Sequence, residues 1–254
     1  MKIHKVIRMV SALLLLTAAA QADWNPGDPD KMHYPQLPDP FGWDVAFGDT
    51  TLADDFKCTD SGKITDVHFW VSWNHDDVDW GSIQNIHLSI HSDNPAGPNE
   101  WSQPDQLLWE GNSDAGDFRY IERFYGNGDQ GWYDPLQGIV EPVNHHETWQ
   151  INVSDILDPF YQKEGTIYWL DIRIDQFPGM PGTIGWKTTL DHWNDDAVID
   201  VDIDPFFEDW VELRDPFTGE SLDLAFVIVP EPSVIVMILA AGGGFIFVRH
   251  KFMI

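Results

Sequence analysis

Tyr168-Trp169-Leu170-Asp171-Ile172-Arg173-Ile174-Asp175 decides the fold class. Tyr168, Leu170, Ile172 and Ile174 alternate with Trp169, Asp171, Arg173 and Asp175, the period of a strand with one apolar face. The same alternation recurs outward along the chain. Val67, Phe69, Val71 and Trp73 interleave with Asp66, His68, Trp70 and Ser72. Ile86, Leu88 and Ile90 interleave with His87, Ser89 and His91, and Trp149, Ile151 and Val153 with Gln150 and Asn152. Leu222, Leu224, Phe226 and Ile228 interleave with Ser221, Asp223, Ala225 and Val227. No helical stripe separates these segments, so they predict an all-β fold of antiparallel sheets, each with one face in water. Residues 93–99, 126–131 and 177–182 are rich in Gly, Pro, Asn and Asp and read as loops. Strands joined by long loops predict a β-sandwich of the jelly-roll type. One short helix is expected after Ser154, which would cap Asp155-Ile156-Leu157 before Pro159 stops it.

The two ends of the chain read differently. Lys2, Lys5 and Arg8 precede an apolar run from Met9 to Ala20, and Ala20-Gln21-Ala22 has small residues at both positions of a cleavage site. Residues 1–22 are therefore expected to be a secretory signal peptide, cleaved to leave Asp23 first. At the other end, Val234 to Val248 is uncharged and is followed by Arg249-His250-Lys251. Fifteen residues at ~1.5 Å each fall short of the ~30 Å hydrocarbon core, but Ser233 and snorkelling cations extend them to a short transmembrane helix. The trailing cations orient it with the bulk of the chain outside.

Between the ends, 23–49 is a Pro- and Gly-rich stretch expected to form an extended arm, and 50–229 carries the sandwich. The charge lies almost wholly in this region. The full chain has a formal net charge of −28. Residues 23–229 hold nine Lys and Arg against 41 Asp and Glu, a balance of −32. Such a domain is expected not to bind nucleic acid, where affinity comes from cations on phosphates, and to be repelled by anionic lipid. A single cysteine, Cys58, excludes an intramolecular disulfide and reads as a buried, inert thiol. Thirteen tryptophans, all between Trp24 and Trp210, are expected to be largely core, with some exposed as platforms for sugar rings.

Pro230-Glu231-Pro232, the apolar run 234–248 and the terminal basic cluster with Arg249 and Lys251, in that order, resemble the PEP-CTERM sorting signal. The resemblance covers about the last 25 residues. It implies recognition and processing by an exosortase, a membrane-embedded cysteine protease, after Sec export in a Gram-negative bacterium that makes exopolysaccharide. The basic cluster here is Arg-His-Lys where the family has an arginine run. Leu52-Ala53-Asp54-Asp55-Phe56, Ile64 to Trp70 and Gly219 to Phe226 are also similar to a domain carried by other PEP-CTERM proteins. That resemblance implies the domain's extent, about 50–229, and assigns no activity or site residues.

Catalytic signatures are lacking: there is no Gly-x-Ser-x-Gly elbow and no phosphate-binding glycine loop. His146-Glu147 begins like a zinc-protease helix but has no second His, and on a strand His145 and His146 face opposite ways. Forty-one carboxylates make any glycosidase-like acid pair uninformative. Calcium is the chemical candidate, with Asp76, Asp77 and Asp79 as one group and Asp195, Asp196, Asp200, Asp202 and Asp204 as another, because that ion takes six to eight oxygen ligands. An EF-hand is excluded by Pro205 in place of its glycine. A solvated acidic face is the alternative. The expectation is a non-enzymatic surface or matrix protein associated with exopolysaccharide. A carbohydrate-binding module is the alternative, and a secreted glycan-active enzyme the second one.

Overall fold

The computed structural model describes residues 23–97, 101–179, 182–201 and 210–230. The expected signal peptide, with Ala20 and Ala22, lies outside the described residues. So do Asp202, Asp204 and the expected sorting tail from Glu231 and Pro232 to Arg249 and Lys251. Among the described residues no helix is long and apolar enough to cross a membrane.

The chain forms an all-β sandwich. Its strands are β1 (Trp43–Ala46), β2 (Leu52–Lys57), β3 (Gly62–Trp73), β4 (Ile83–Asn94), β5 (Gln103–Asn112), β6 (Arg119–Asp134) and β7 (Ile139–Ser154). Then come β8 (Tyr161–Gln162), β9 (Ile167–Gln176), β10 (Ile184–Thr189), β11 (Val198–Asp200), β12 (Trp210–Glu212), β13 (Asp223–Leu224) and β14 (Phe226–Pro230). One sheet has the order β13-β10-β1-β6-β7-β3-β14 with β8 on β3, and the other β12-β11-β2-β9-β4-β5. All five alternating segments are strands. The last is broken at Ala225, whose amide bonds Lys187 while its carbonyl accepts from Trp70.

The pleat delivers Val67, Phe69, Val71, Leu88, Ile90, Leu170, Ile172, Phe226 and Ile228 to one core between the sheets. The expected wet faces are a different matter. His68, Trp70 and Ser72 on β3, and Trp169 and Asp171 on β9, are as buried as the core residues beside them. The reason is coverage from outside. The expected arm 23–49 does this only in part, since Trp43–Ala46 enters the first sheet as β1; the residues before it lie along that sheet, where Trp24 meets Trp70 edge to face, and Lys31 and Gln36 donate to the Ile228 and Phe226 carbonyls.

Three further expectations are corrected. Residues 126–131 belong to β6, which stays paired with β7 through register shifts at 124/126, 127/130 and 130/132. Bulges of this kind bend a strand without ending it. The bend brings β6 beside β1 as a parallel pair in an otherwise antiparallel molecule. The glycines permit the approach: a Cβ on Gly128 would lie 1.7 Å from the Pro40 carbonyl oxygen, and one on Gly131 would lie 2.4 Å from the Trp43 ring. Finally, no helix follows Ser154, because Asp155 and Asp158 adopt left-handed φ of 53° and 50°.

β10 pairs with β3 as well as with β1, so β1, β6, β7, β3 and β10 close into a ring. Val45, Val71 and Trp186 point out of this ring to the inter-sheet core. Their neighbours point inward and touch across it: His145 of β7 reaches Asp44 of β1, and Ser72 of β3 reaches Gln130 of β6.

Candidate functional site

Among the described residues, two clusters of ionisable side chains are largely buried. The first is inside the ring. The Asp44 carboxylate lies 2.7 Å from His145 Nε2 and accepts from Lys187 Nζ at 2.9 Å, while Nζ also donates to the Gly42 carbonyl at 3.1 Å. All three side chains are fully buried. Burial pushes the Asp44 carboxyl up, but Lys187 and His145 outweigh it and hold the group below its usual range. Burial likewise lowers Lys187 against the pull of Asp44. Charges sealed from solvent and tied to backbone in this way have no approach for a substrate, so the trio holds the ring together.

The second is a carboxylate cluster built on β2 and on the segments flanking β11, β12 and β13. Asp54 and Asp55 are adjacent on β2, and the pleat sends them to opposite faces. Asp54 takes a core position between Leu52 and Phe56 and accepts from Leu224 N at 2.6 Å and from the Gln36 amide at 2.9 Å. Burial, then Asp223 and Asp55, push its carboxyl well up. Asp55 faces outward on the side of Ala53, in register with Trp169, and accepts from the Asn194 side chain. Burial drives it up to about 9, with Asp223, Asp93 and Asp195 adding to the rise. Asp223, raised chiefly by burial to about 6, accepts from Trp193 N at 2.7 Å. Asp171 pairs with His91 Nδ1 at 2.5 Å on the same outer face.

Of the proposed calcium ligands, the structure joins Asp195 and Asp196, and adds Glu212, with carboxylate oxygens within 4.8 Å of one another. Those oxygens already have partners. Asp195 accepts from Ser102 N and Oγ at 2.7 and 2.9 Å. Asp196 accepts from Ser221 and lies 2.7 Å from Arg214 Nη2, which is 3.0 Å from Glu212. Asp200 stands apart on β11, in register with Trp210. Asp76, Asp77 and Asp79 are beyond the opposite end of β10, in the turn after β3, so the two expected groups do not meet. Asp76 is occupied by the amides of His146 and Glu147, at 2.8 and 2.9 Å, and by the His146 ring. His145 and His146 do face opposite ways, one buried and one exposed.

None of the 13 tryptophans is fully exposed, and Trp80, Trp101, Trp109, Trp149 and Trp193 are half-buried. A cavity between the sheets is lined only by apolar side chains, among them Ile64, Leu88, Ile90 and Phe160. Cys58 is buried with its thiol pushed up by that burial, as a packing cysteine is. Asp44 and Lys187 escaped the sequence reading because they are remote from each other in the chain, and Glu212 and Arg214, two residues apart, because their approach to Asp196 is made only by the fold. Asp54 carried a signal that went unused: a carboxylate at an apolar position of a strand must find a partner or a proton. No curated protein and no solved structure matches the chain. Residues 32–229 match the family model described as a domain of unknown function, DUF7901, and the chain belongs to that family.

Proposed function

We propose that this is an exported protein of the cell surface or extracellular matrix, tethered by its C-terminal segment and then processed there by an exosortase. Its sandwich serves as a stable, strongly acidic body that associates with exopolysaccharide through divalent cations and performs no turnover. We read the sandwich as a jelly-roll variant, since β2, β3 and β4 cross from sheet to sheet in turn and β9, β10 and β11 do so again. The observation that carries the sorting reading is where the last strand stops. Among the described residues β14 pairs with β3 as far as Pro230 opposite Ile64, so the Pro-Glu-Pro triplet starts at the last described residue of that strand. A segment flanked by prolines cannot continue as helix and offers an extended recognition site between body and membrane. The buried partners of the acidic cluster support the non-catalytic part, since they leave few oxygens for a substrate. Replacing Pro230, Glu231 and Pro232 by alanine tests the proposal. Full-length precursor retained in the inner membrane is expected; normal cleavage and release of the triple variant would reject the sorting role.

A further inference from the structure

Resting on the tethered reading above, we propose that the end of the sandwich around Lys57, Lys63 and Lys163 docks on the anionic lipid headgroups of the membrane that holds the tail. The argument starts from the distribution of cations. Residues 23–229 contain nine Lys and Arg. Arg119, Arg123, Arg173 and Arg214 each have a carboxylate within 4 Å, and Lys187 is sealed against Asp44. The other four are Lys31, Lys57, Lys63 and Lys163, which have no ion pair among the described residues. Lys31 is buried, and the remaining three are exposed.

The fold brings these four from separate parts of the sequence to one end. Lys57 closes β2 opposite Ile167, and Lys63 pairs with Tyr161 of β8. Lys163 follows β8 and its carbonyl accepts from Thr166, next in the chain to Ile167. Lys31 bonds Thr59 and Ile228 through its backbone, and its Nζ packs where a Cβ on Gly62 would lie. Asp60 and Glu164 share this end, so it is close to neutral on a body that is otherwise strongly negative. Tyr161 is 57% exposed beside Lys63, the pairing of aromatic ring and lysine that suits a membrane interface.

The same end carries the exit of the chain. Pro230 lies opposite Ile64, the residue after Lys63. Four steps of chain from Pro230 to Val234, where the uncharged stretch starts, span at most about 14 Å. This end therefore has to lie close to the headgroups. A body of net charge −32 held there is repelled unless the surface it turns to the lipid lacks that charge. Each lysine near an anionic surface favours the docked state by about fivefold. Docking would present the Pro-Glu-Pro segment at a fixed height. Cleavage would remove the tether, leaving three lysines against the charge of the whole body, and the product would leave the membrane.

The test uses the full chain reconstituted in phosphatidylcholine vesicles with or without phosphatidylglycerol. Acetylation of exposed lysines is read by peptide mass spectrometry. Lys57, Lys63 and Lys163 should be labelled several-fold less in the anionic vesicles, and added salt should restore labelling. Equal labelling in both vesicles, with the protein resistant to carbonate extraction, would overturn the docking and leave the tether intact. Extraction by carbonate would overturn the tether and the docking together. Protection by acidic polysaccharide without lipid would assign this end to the polymer instead. A K57E/K63E/K163E variant should lose the lipid-dependent difference; should it fail to fold, the wild-type comparison still decides.

Discussion

Asp44 and Lys187 face each other across β1 and β10, both fully buried. Removing one partner strands the other, so Lys187→Met is expected to cost about 3–5 kcal/mol, and the Asp44→Asn/Lys187→Met double variant less than the sum of the singles. Chemical denaturation midpoints check this. Asp55 makes the opposite kind of prediction. Its carboxyl is raised to about 9, far above an unfolded value near 3.9, so the folded protein holds a proton that the unfolded chain releases. The stabilisation is complete below the unfolded value and is lost as pH rises through the folded one. His33 and His68, lowered to about 3 and about 4, act in the other direction up to about pH 6.5, where the unfolded imidazoles lose their protons. Between pH 7 and 9 these imidazoles no longer contribute while Asp55 still does, so its share of the stability should be lost and the melting temperature should fall across that window. Asp55→Asn, which keeps an acceptor for Asn194, should flatten the fall; an unchanged slope would show that Asp55 is ionised.

At the scale of elements, the bent β6 governs whether the ring closes. Gly128 meets the Pro40 carbonyl with no room for a methyl group, whereas Gly126 has open space. Gly128→Ala should therefore destabilise by about 1–3 kcal/mol or more, with Gly126→Ala close to neutral. Thermal melts of the two variants side by side provide the check. The turns after β3 and β7 show the same dependence on context. His75 and Asp76 hold left-handed φ of 58° and 57°, stabilised by Asp76 accepting two amides from β7. In the turn after β7, an Asp155 in the left-handed region ended the helix that Ser154 was expected to cap.

For the whole molecule, the question is how so acidic a body stays folded. Part of the answer is that several carboxyls are raised by burial, and that others accept backbone amides or pair with a guanidinium. Arg214 already occupies the gap between Asp196 and Glu212, so a structural calcium ion would have to displace it. Millimolar calcium and magnesium should therefore raise the wild-type melting temperature equally, by screening alone. Arg214→Ala, which removes the guanidinium from Asp196 and Glu212 beside Asp195, should melt lower in chelator and recover selectively with calcium. A calcium-specific rise in the wild type would instead show an ion bound with Arg214 in place.

Period-two alternation was enough to determine the all-β class and the inward residues of five strands, because a pleat sends every second side chain to one face whatever its partner is. The sequence alone also determined that Cys58 has no intramolecular partner, and it separated His145 from His146. Only the tertiary structure decided which faces are wet, since the N-terminal arm packs on Trp70 of β3 and closure of the ring encloses Ser72 of the same strand. It alone decided that residues 126–131 are strand, because glycine there serves the approach of β1 rather than a turn. The same holds for the sites. Asp44 and Lys187 are far apart in the chain, as are Lys57 and Lys163, and charge pairing acts through distance in space. Alternation specifies a face, and register and coverage specify what that face meets.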